Sequence, residues 1–447
     1  MKLANKFGLA KIMTTCTETF GLSRAVAISA IAFIALIILG VGFWLSYSAP
    51  PNTIIITSGP EGSLFHTNAI KYARILARNG VTLKILPSQG SLENLKRLSD
   101  PKCRVDIGFV QGGVTNGAVT SKLVSLGTVF YEPLMVFYRG TATVELLSEL
   151  DGKRLAIGSD GSGTHSLALT LLAVNGIAPG GKTELLDLDG EEAAQALVAG
   201  KIDAAFLMGD SASPQVMRKL LRTSGIQLMD FTQADGYTRR ISYLNKLELP
   251  KGCLDFGKNL PAHDLQLIGP TVELIARSSL YPSLTYLLLD AAREVHGNAN
   301  LLQRRGEFPA PIEREFNLSA DARRYYTTGK SFFYRFLPFG LASLINRILV
   351  VIVPLVVVLI PVLRLIPVLY KWRIKFGIYR WYRALLALET DIFKQGTIQG
   401  NDEFVKRLNQ IEEAVNTMKV PASFADQFYG LRGHIRFVRE RLQSGRS

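Results

Sequence analysis

Cysteine is scarce, with Cys16, Cys103 and Cys253 the three residues of that type in 447 and no CxxC pair or Cys/His spacing among them. That excludes the usual zinc site, whose ligands arrive in closely spaced pairs. Cys103 and Cys253 remain open as a pair or as two separate thiols, since a disulfide depends on geometry that sequence does not hold. The five histidines (His66, His165, His263, His296 and His434) do not cluster at ligand spacing, and HExxH is absent. The glycine-rich stretch Gly158 to His165 lacks the lysine after glycine that a P-loop needs, and no GxSxG elbow offers a nucleophilic serine. Gly209-Asp210-Ser211 is too common a triplet to mark a hydrolase. Acidic residues are also short, 37 against 51 basic, for a net charge of +14. The excess forms no basic-aromatic tract, so nucleic acid is excluded as a partner and a positive-inside membrane topology is favoured. The chain is not expected to be an enzyme, and no cofactor or metal is expected.

Apolar residues are plentiful at 48%. Residues 1–24 are modestly basic and expected to be cytoplasmic; residues 25–47 then run 23 positions without a charge. A bilayer needs about 20 apolar helical residues, whereas a cleavable signal core has only ~7–15. Trp44 and Tyr47 sit at the far end, where amphipathic rings favour an interface. A first transmembrane helix over 25–47 is therefore expected, and no lipobox surrounds Cys16. A second is expected over 336–370, although its longest charge-free piece, 348–363, has 16 residues between Arg347 and Arg364. Snorkelling of Arg347 would lengthen it, Pro354 and Pro361 would kink it, and a re-entrant hairpin is the alternative. Tyr325-Tyr326 and Phe332-Phe333-Tyr334 read as an interfacial aromatic belt. Beyond lie Lys371, Arg373, Lys375, Arg380 and Arg383, and residues 371–447 hold 14 basic against 8 acidic side chains. Such a cluster marks the cytoplasmic side. The tail has helical periodicity over 404–418 and 424–442, broken at Val420-Pro421, and reads as a cytoplasmic helical hairpin. The topology then places residues 48–335 outside a bacterial inner membrane, in the periplasm, with both termini cytoplasmic.

Strand and helix patterns alternate from residue 53 to about 228, which implies parallel sheets covered by helices. The pattern forms two α/β lobes, the first about 53–135 with 240–325 and the second about 139–232. Within the later stretch, residues 271–276 and 281–296 read as helices. The second lobe carries Gly158-Ser159-Asp160-Gly161-Ser162-Gly163-Thr164-His165 between an apolar run and a helical segment. Three glycines in six residues let main-chain N–H groups crowd toward one point, next to the positive end of a helix. The first lobe echoes it after its first strand, in Ser58-Gly59-Pro60-Glu61-Gly62-Ser63-Leu64-Phe65-His66. Ligands of open α/β sheets gather beyond the carboxyl ends of strands, so the two loops can face each other across a cleft. His66 and His165 end the two loops and read as satisfied or exposed residues near helix starts, with a hydrogen bond to a ligand as the alternative.

These loops, together with Gln89-Gly90-Ser91-Leu92-Glu93-Asn94, Leu150-Asp151-Gly152-Lys153-Arg154, Gly200-Lys201-Ile202-Asp203-Ala204-Ala205-Phe206 and the segment from Ser211 to Pro214, resemble the TAXI-type extracytoplasmic solute-binding proteins of tripartite ATP-independent periplasmic (TRAP) transporters. The resemblance covers about residues 53–325. Ile378-Tyr379-Arg380-Trp381-Tyr382, Pro421-Ala422-Ser423-Phe424-Ala425-Asp426 and residues 429–442 are similar to the tail of membrane-anchored members. It implies a two-lobed type II periplasmic-binding fold, here with two transmembrane helices and a C-terminal α-helical hairpin. The lobes would close on a small carboxylate or amino-acid-like ligand, an anionic or zwitterionic solute. By matching position, the site would use Ser58, Gly59, Gly62, Ser63 and Phe65; Gln89, Gly90, Ser91 and Asn94; Ser159, Gly161, Ser162, Gly163 and Thr164; and Phe206. The chain departs from the family at Pro60-Glu61, at Gln111-Gly112-Gly113 and at Asp160. A carboxylate at Glu61 or Asp160 would repel a bound anion, so both are expected in solvent or against a ligand ammonium.

Two functions follow as expectations. One is a membrane-anchored binding protein that presents its solute to a TRAP-type permease, which a chain with so few spans cannot replace. The other is a sensor or scaffold that signals ligand closure to the cytoplasmic tail.

Overall fold

A computed structural model describes residues 24–47, 49–115, 121–329, 332–337, 339–395, 401–418, 420 and 424–444. Cys16, Val420-Pro421 as a junction and residues 421–423 of the tail motif fall wholly or partly outside them. The chain divides into two compact units, Tyr47–Asn346 and the described residues of Met1–Ser46 with Arg347–Ser447.

Helix α1 is Arg24–Tyr47. The larger unit then runs β1 (Thr53–Thr57), α2 (Leu64–Ala77), β2 (Thr82–Leu86), α3 (Ser91–Ser99), β3 (Ile107–Gln111), β4 (Leu123–Tyr131), β5 (Met135–Arg139) and β6 (Arg154–Ala156). It continues with α4 (Gly163–Val174), β7 (Glu184–Leu186), α5 (Gly190–Val198), β8 (Ala204–Leu207), α6 (Pro214–Leu221), β9 (Ile226–Leu228) and α7 (Ala234–Arg240). Last come β10 (Leu244–Leu249), β11 (Leu265–Arg277), α8 (Pro282–His296), α9 (Ala320–Thr328) and α10 (Phe332–Phe336). The β-branched run of β1 suits a buried strand, and serines cap the helices that follow the loops: Ser63 for α2, Ser162 for α4, and Ser213 ahead of Pro214 for α6.

The strands make two sheets. One has the order β10-β11-β3-β1-β2 with β4 on β11; the other is β7-β6-β8-β5-β9. The architecture is thus α/β with two lobes, but the sheets are mixed rather than parallel. β1 is parallel to β2 and β3, while β11 is antiparallel to β3, β4 and β10. In the second sheet, β5 runs antiparallel to β8 and β9. The helix read over 271–276 is part of the 13-residue strand β11. Its Val272, Leu274, Ile275 and Ala276 are fully buried, and the alternation that Thr271 to Leu274 begins breaks at Leu274-Ile275-Ala276. Through β11 the chain returns to the first sheet. The lobes are joined at Glu132-Pro133-Leu134, where the Leu134 N–H donates to the Ile268 carbonyl at 2.9 Å, and near Phe231, whose N–H donates to the Gln266 carbonyl at 2.9 Å.

Tyr325 and Tyr326 are not an interfacial belt. They pack into the first lobe's core, where Tyr325 donates to Asp290 at 2.8 Å and Tyr326 to the Leu126 carbonyl at 3.0 Å. Tyr334 stacks on Tyr286, whereas Phe332 and Phe336 stand exposed.

Glu273, on β11, is 2% exposed and its pKa is pushed up to about 7 by burial, with Glu315 adding to the shift and the Ser125 hydroxyl opposing it. An unfolded glutamate titrates near 4.3. Between those values the folded chain binds more protons, so its stability falls as pH rises, by up to about 3 kcal/mol. His296, lowered to about 3 by burial, acts in the opposite direction below about pH 6.5. The difference between wild type and Glu273→Gln isolates the glutamate. The variant should gain stability relative to wild type as pH is raised from about 4.5 to 7. Parallel urea-unfolding curves across that window would refute the buried acid.

Next comes α11 (Phe339–Gln395), one helix of 57 residues that belongs to the other unit from Arg347 on, as do α12 (Asn401–Asn416) and α13 (Ala425–Ser444). It passes through Pro354 and Pro361 without a break, unlike the re-entrant hairpin held as the alternative. Its segment Phe339–Val358 is long and apolar enough to cross a membrane, by length and composition. The tail is more than a pair of helices: Ile378, Leu385 and Leu388 of α11 share a buried core with Leu408, Ile411 and Val415 of α12 and with Leu431, Ile435 and Val438 of α13. Cys103 and Cys253 are free thiols.

Candidate functional site

Five segments converge between the lobes, all at carboxyl ends of strands: 58–63 after β1, 88–91 after β2, Gln111 ending β3, 158–164 after β6 and 209–211 after β8. At their centre stands a side chain that the sequence reading passed over, the Asp210 carboxylate, which is 0% exposed. Its Oδ2 accepts from the Gly163 N–H at 2.5 Å and the Ser91 N–H at 3.3 Å; its Oδ1 accepts from the Thr164 hydroxyl at 2.7 Å. The Ser211 hydroxyl lies 2.9 Å from that of Thr164. Ser91 and Gly163 open α3 and α4, so two helix N-termini, one from each lobe, face one carboxylate. Burial raises the Asp210 pKa, and the hydroxyls of Thr164 and Ser211 with the N–H groups of Gly163 and Ser91 draw it back.

Two glycines allow the approach. A Cβ on Gly90, whose φ is +137°, would lie 2.4 Å from Asp210 Oδ2. A Cβ on Gly59 would lie 2.4 Å from the Asp210 carbonyl oxygen, a main-chain atom that cannot swing aside. Gly59→Ala should therefore cost about 1–3 kcal/mol, as overpacking does. Thermal unfolding checks it, and an unchanged melting temperature would contradict this contact.

Other bonds tie the lobes together beside Asp210. The Leu64 N–H donates to the Gly209 carbonyl at 2.9 Å, the Glu93 N–H to the Gly161 carbonyl at 2.9 Å, and Gln111 Nε2 to the Gly163 carbonyl at 3.0 Å. Gln89 is exposed and faces Gly161 across the gap. Glu132, on the crossing segment between β4 and β5, is fully buried, and neither carboxyl oxygen meets a hydrogen-bond partner among the described residues. Burial pushes its pKa well above the carboxylate range, and the Asp210 charge adds to that.

The remaining expected residues are near this point but do other work. Ser63 and Ser162 cap helices by accepting from the N–H groups of His66 and His165, at 3.1 and 3.0 Å. Ser58 turns its carbonyl to Ser88 and Asn94. Asn94 accepts from Thr57 at 2.6 Å and Ser88 at 2.7 Å and donates to the carbonyls of Ser58 and Phe109, which occupies its whole amide. Ser159 donates to Asp189, and Gly62 is an exposed turn. Phe65 and Phe206 lie outside the cleft. Each is fully buried, Phe65 against Phe109 and Phe130 in one lobe and Phe206 in the core of the other. Glu61 and Asp160 are exposed. His165 Nδ1 lies 3.0 Å from the Gly158 carbonyl and His66 Nδ1 3.4 Å from the Ser58 hydroxyl.

A cavity of about 300 Å³ adjoins the site, lined by Leu64, Gly209, Pro214, Met217 and Leu302 among others. A second, of about 510 Å³, lies away from it against Arg293, Arg305, Phe308 and Tyr325. Among the described residues no group of histidine, cysteine and carboxylate side chains could hold a metal ion.

A family model described as NMT1-like matches residues 56–304, more than half of the chain and nearly all of both lobes. The chain belongs to the NMT1-like family. Its matched span holds every segment that reaches Asp210. Among solved structures, this NMT1-like chain is similar to the alkanesulfonate-binding protein SsuA from Xanthomonas axonopodis pv. citri bound to MOPS, at 15% identity over 56% of this chain and 74% of that one, TM-score 0.37. It is also similar to the periplasmic aliphatic sulphonate-binding protein SsuA from Escherichia coli, at 14% identity over 66% and 84%, TM-score 0.35. A third is an ancestral arginine-binding protein bound to arginine, at 12% identity over 56% and 95%, TM-score 0.37.

Proposed function

We propose that this chain is a solute-binding protein of the TAXI type whose two lobes close on a small carboxylate or amino-acid-like solute. One observation carries the reading. Donors from both lobes, the Ser91 N–H from one and the Gly163 N–H and Thr164 hydroxyl from the other, meet on a single carboxylate. Main-chain donors at helix ends are suited to an anion and indifferent to what is attached to it. The mostly apolar cavity beside Gly209 would take the body of such a solute. Helices Arg24–Tyr47 and Phe339–Val358, the second about 30 Å long at 1.5 Å per residue, would anchor the chain in a bacterial inner membrane with the lobes in the periplasm and both termini in the cytoplasm. The solute would pass to a TRAP-type permease.

The packed three-helix core of residues 378–438 favours a second reading, a sensor that reports closure through its tail, because simple delivery needs no such body. A co-purifying permease supports delivery; a co-purifying cytoplasmic protein without one supports sensing.

The test is a thermal-shift screen of the full-length chain against dicarboxylates, amino acids and keto acids. A ligand at ten times its Kd stabilises by about 1.4 kcal/mol, a rise of a few degrees. At least one carboxylate should give it. No shift from any of them overturns the binding reading.

A further inference from the structure

We propose that Asp210 is a tethered stand-in for the ligand's carboxylate, which holds the lobes closed until a free carboxylate displaces it. The inference rests on the binding reading above in taking these donors as the carboxylate site. The Asp210 side chain fills the acceptor position of that site completely: both oxygens are bonded, none of it reaches solvent, and the Cβ position of Gly90 is 2.4 Å from Oδ2. A second carboxylate therefore cannot share the donors. It must replace the first.

The lever is short. Asp210 belongs to the second lobe and is bonded there to Gly163 and Thr164, while the Ser91 N–H that reaches it comes from the first. The neighbouring Gly209 carbonyl takes the first N–H of α2, again from the first lobe. Rotation of the Gly209–Ser211 loop would break both ties at once and leave the Gly163 and Thr164 donors free for an incoming anion.

Glu132 supplies an opposing term. It sits on the segment that joins the lobes, fully buried, with both oxygens unpartnered among the described residues and Oε1 3.4 Å from the Cβ position of Gly209. Opening would admit water to it. The closed state thus gains at Asp210 and loses at Glu132, which is the balance expected of an element with two arrangements.

Full-length wild type, Asp210→Ala and Asp210→Asn are to be titrated with sodium acetate, with sodium chloride at equal ionic strength as control, and followed by melting temperature. Asp210→Ala should melt below wild type and be restored by acetate but not chloride, with a half-maximal acetate concentration at least tenfold below that of wild type. Asp210→Asn keeps the shape of the side chain and should be intermediate; if Asp210→Ala does not fold, Asp210→Asn decides by the same comparison. Equal half-maximal concentrations in wild type and variants would overturn the latch and leave the binding reading standing. A response to acetate no larger than to chloride in folded variants would overturn both.

Discussion

Asn94→Ala should lower the stability of the chain by about 3–5 kcal/mol, because each buried polar group left without a partner costs about 1–3 kcal/mol. Four groups bond this amide, the hydroxyls of Thr57 and Ser88 and the carbonyls of Ser58 and Phe109, and of these the Ser88 hydroxyl and Ser58 carbonyl keep each other. All but the Phe109 carbonyl belong to the first-lobe loops that shape the cleft, or to the strand end beneath them. Family position would make Asn94 a ligand contact, and as such its loss would weaken binding and leave the melting temperature nearly unchanged. Urea unfolding in the absence of ligand separates the two roles. A loss under about 1 kcal/mol would return Asn94 to the ligand.

Phe65→Ala is expected to cost a similar amount, about 3–5 kcal/mol, the usual range for removing a buried ring. Phe65 is wholly enclosed, with ring centroids 5.5 Å from Phe109 and 5.9 Å from Phe130. The void would sit in the core under α2, so destabilisation should come without any direct loss of a ligand contact. A stable Phe65→Ala chain with weakened carboxylate binding would contradict this placement.

What the residues disclosed follows from how local each signal is. Ser58 to His66, Gln89 to Asn94 and Gly158 to His165 are legible because serine and glycine between a short apolar strand and a helix have a local meaning, a cap and a tight turn. The structure brings those loops together. Phe65 and Phe206 lie beside or between buried neighbours on a helix and a strand, and nothing local tells a core ring from a cleft ring. β11 reads as a helix at 271–276 because a strand buried on both faces puts apolar residues together at Leu274, Ile275 and Ala276, which cuts short the alternation begun at Thr271. Asp210 was invisible for a different reason. A carboxylate after the apolar run of β8 looks like any loop acid until Gly90, Ser91 and Gly163, all more than 45 positions away in sequence, close around it. The available hint was that it, too, follows the carboxyl end of a strand. Glu132 and Gln111 gave no comparable hint, since one lies in a crossing segment and the other at a strand end that departs from the family.

The most direct measurement of lobe closure on a carboxylate is the distance between the lobes. Spin labels at the exposed positions Lys84, on β2, and Lys201, before β8, report it once Cys16, Cys103 and Cys253 are replaced by serine. Wild type should show one short distance in buffer. Asp210→Ala should show a longer, broader distribution that returns to the wild-type distance as acetate is added. An Asp210→Ala distance that ignores acetate, whether long or short, would contradict the account.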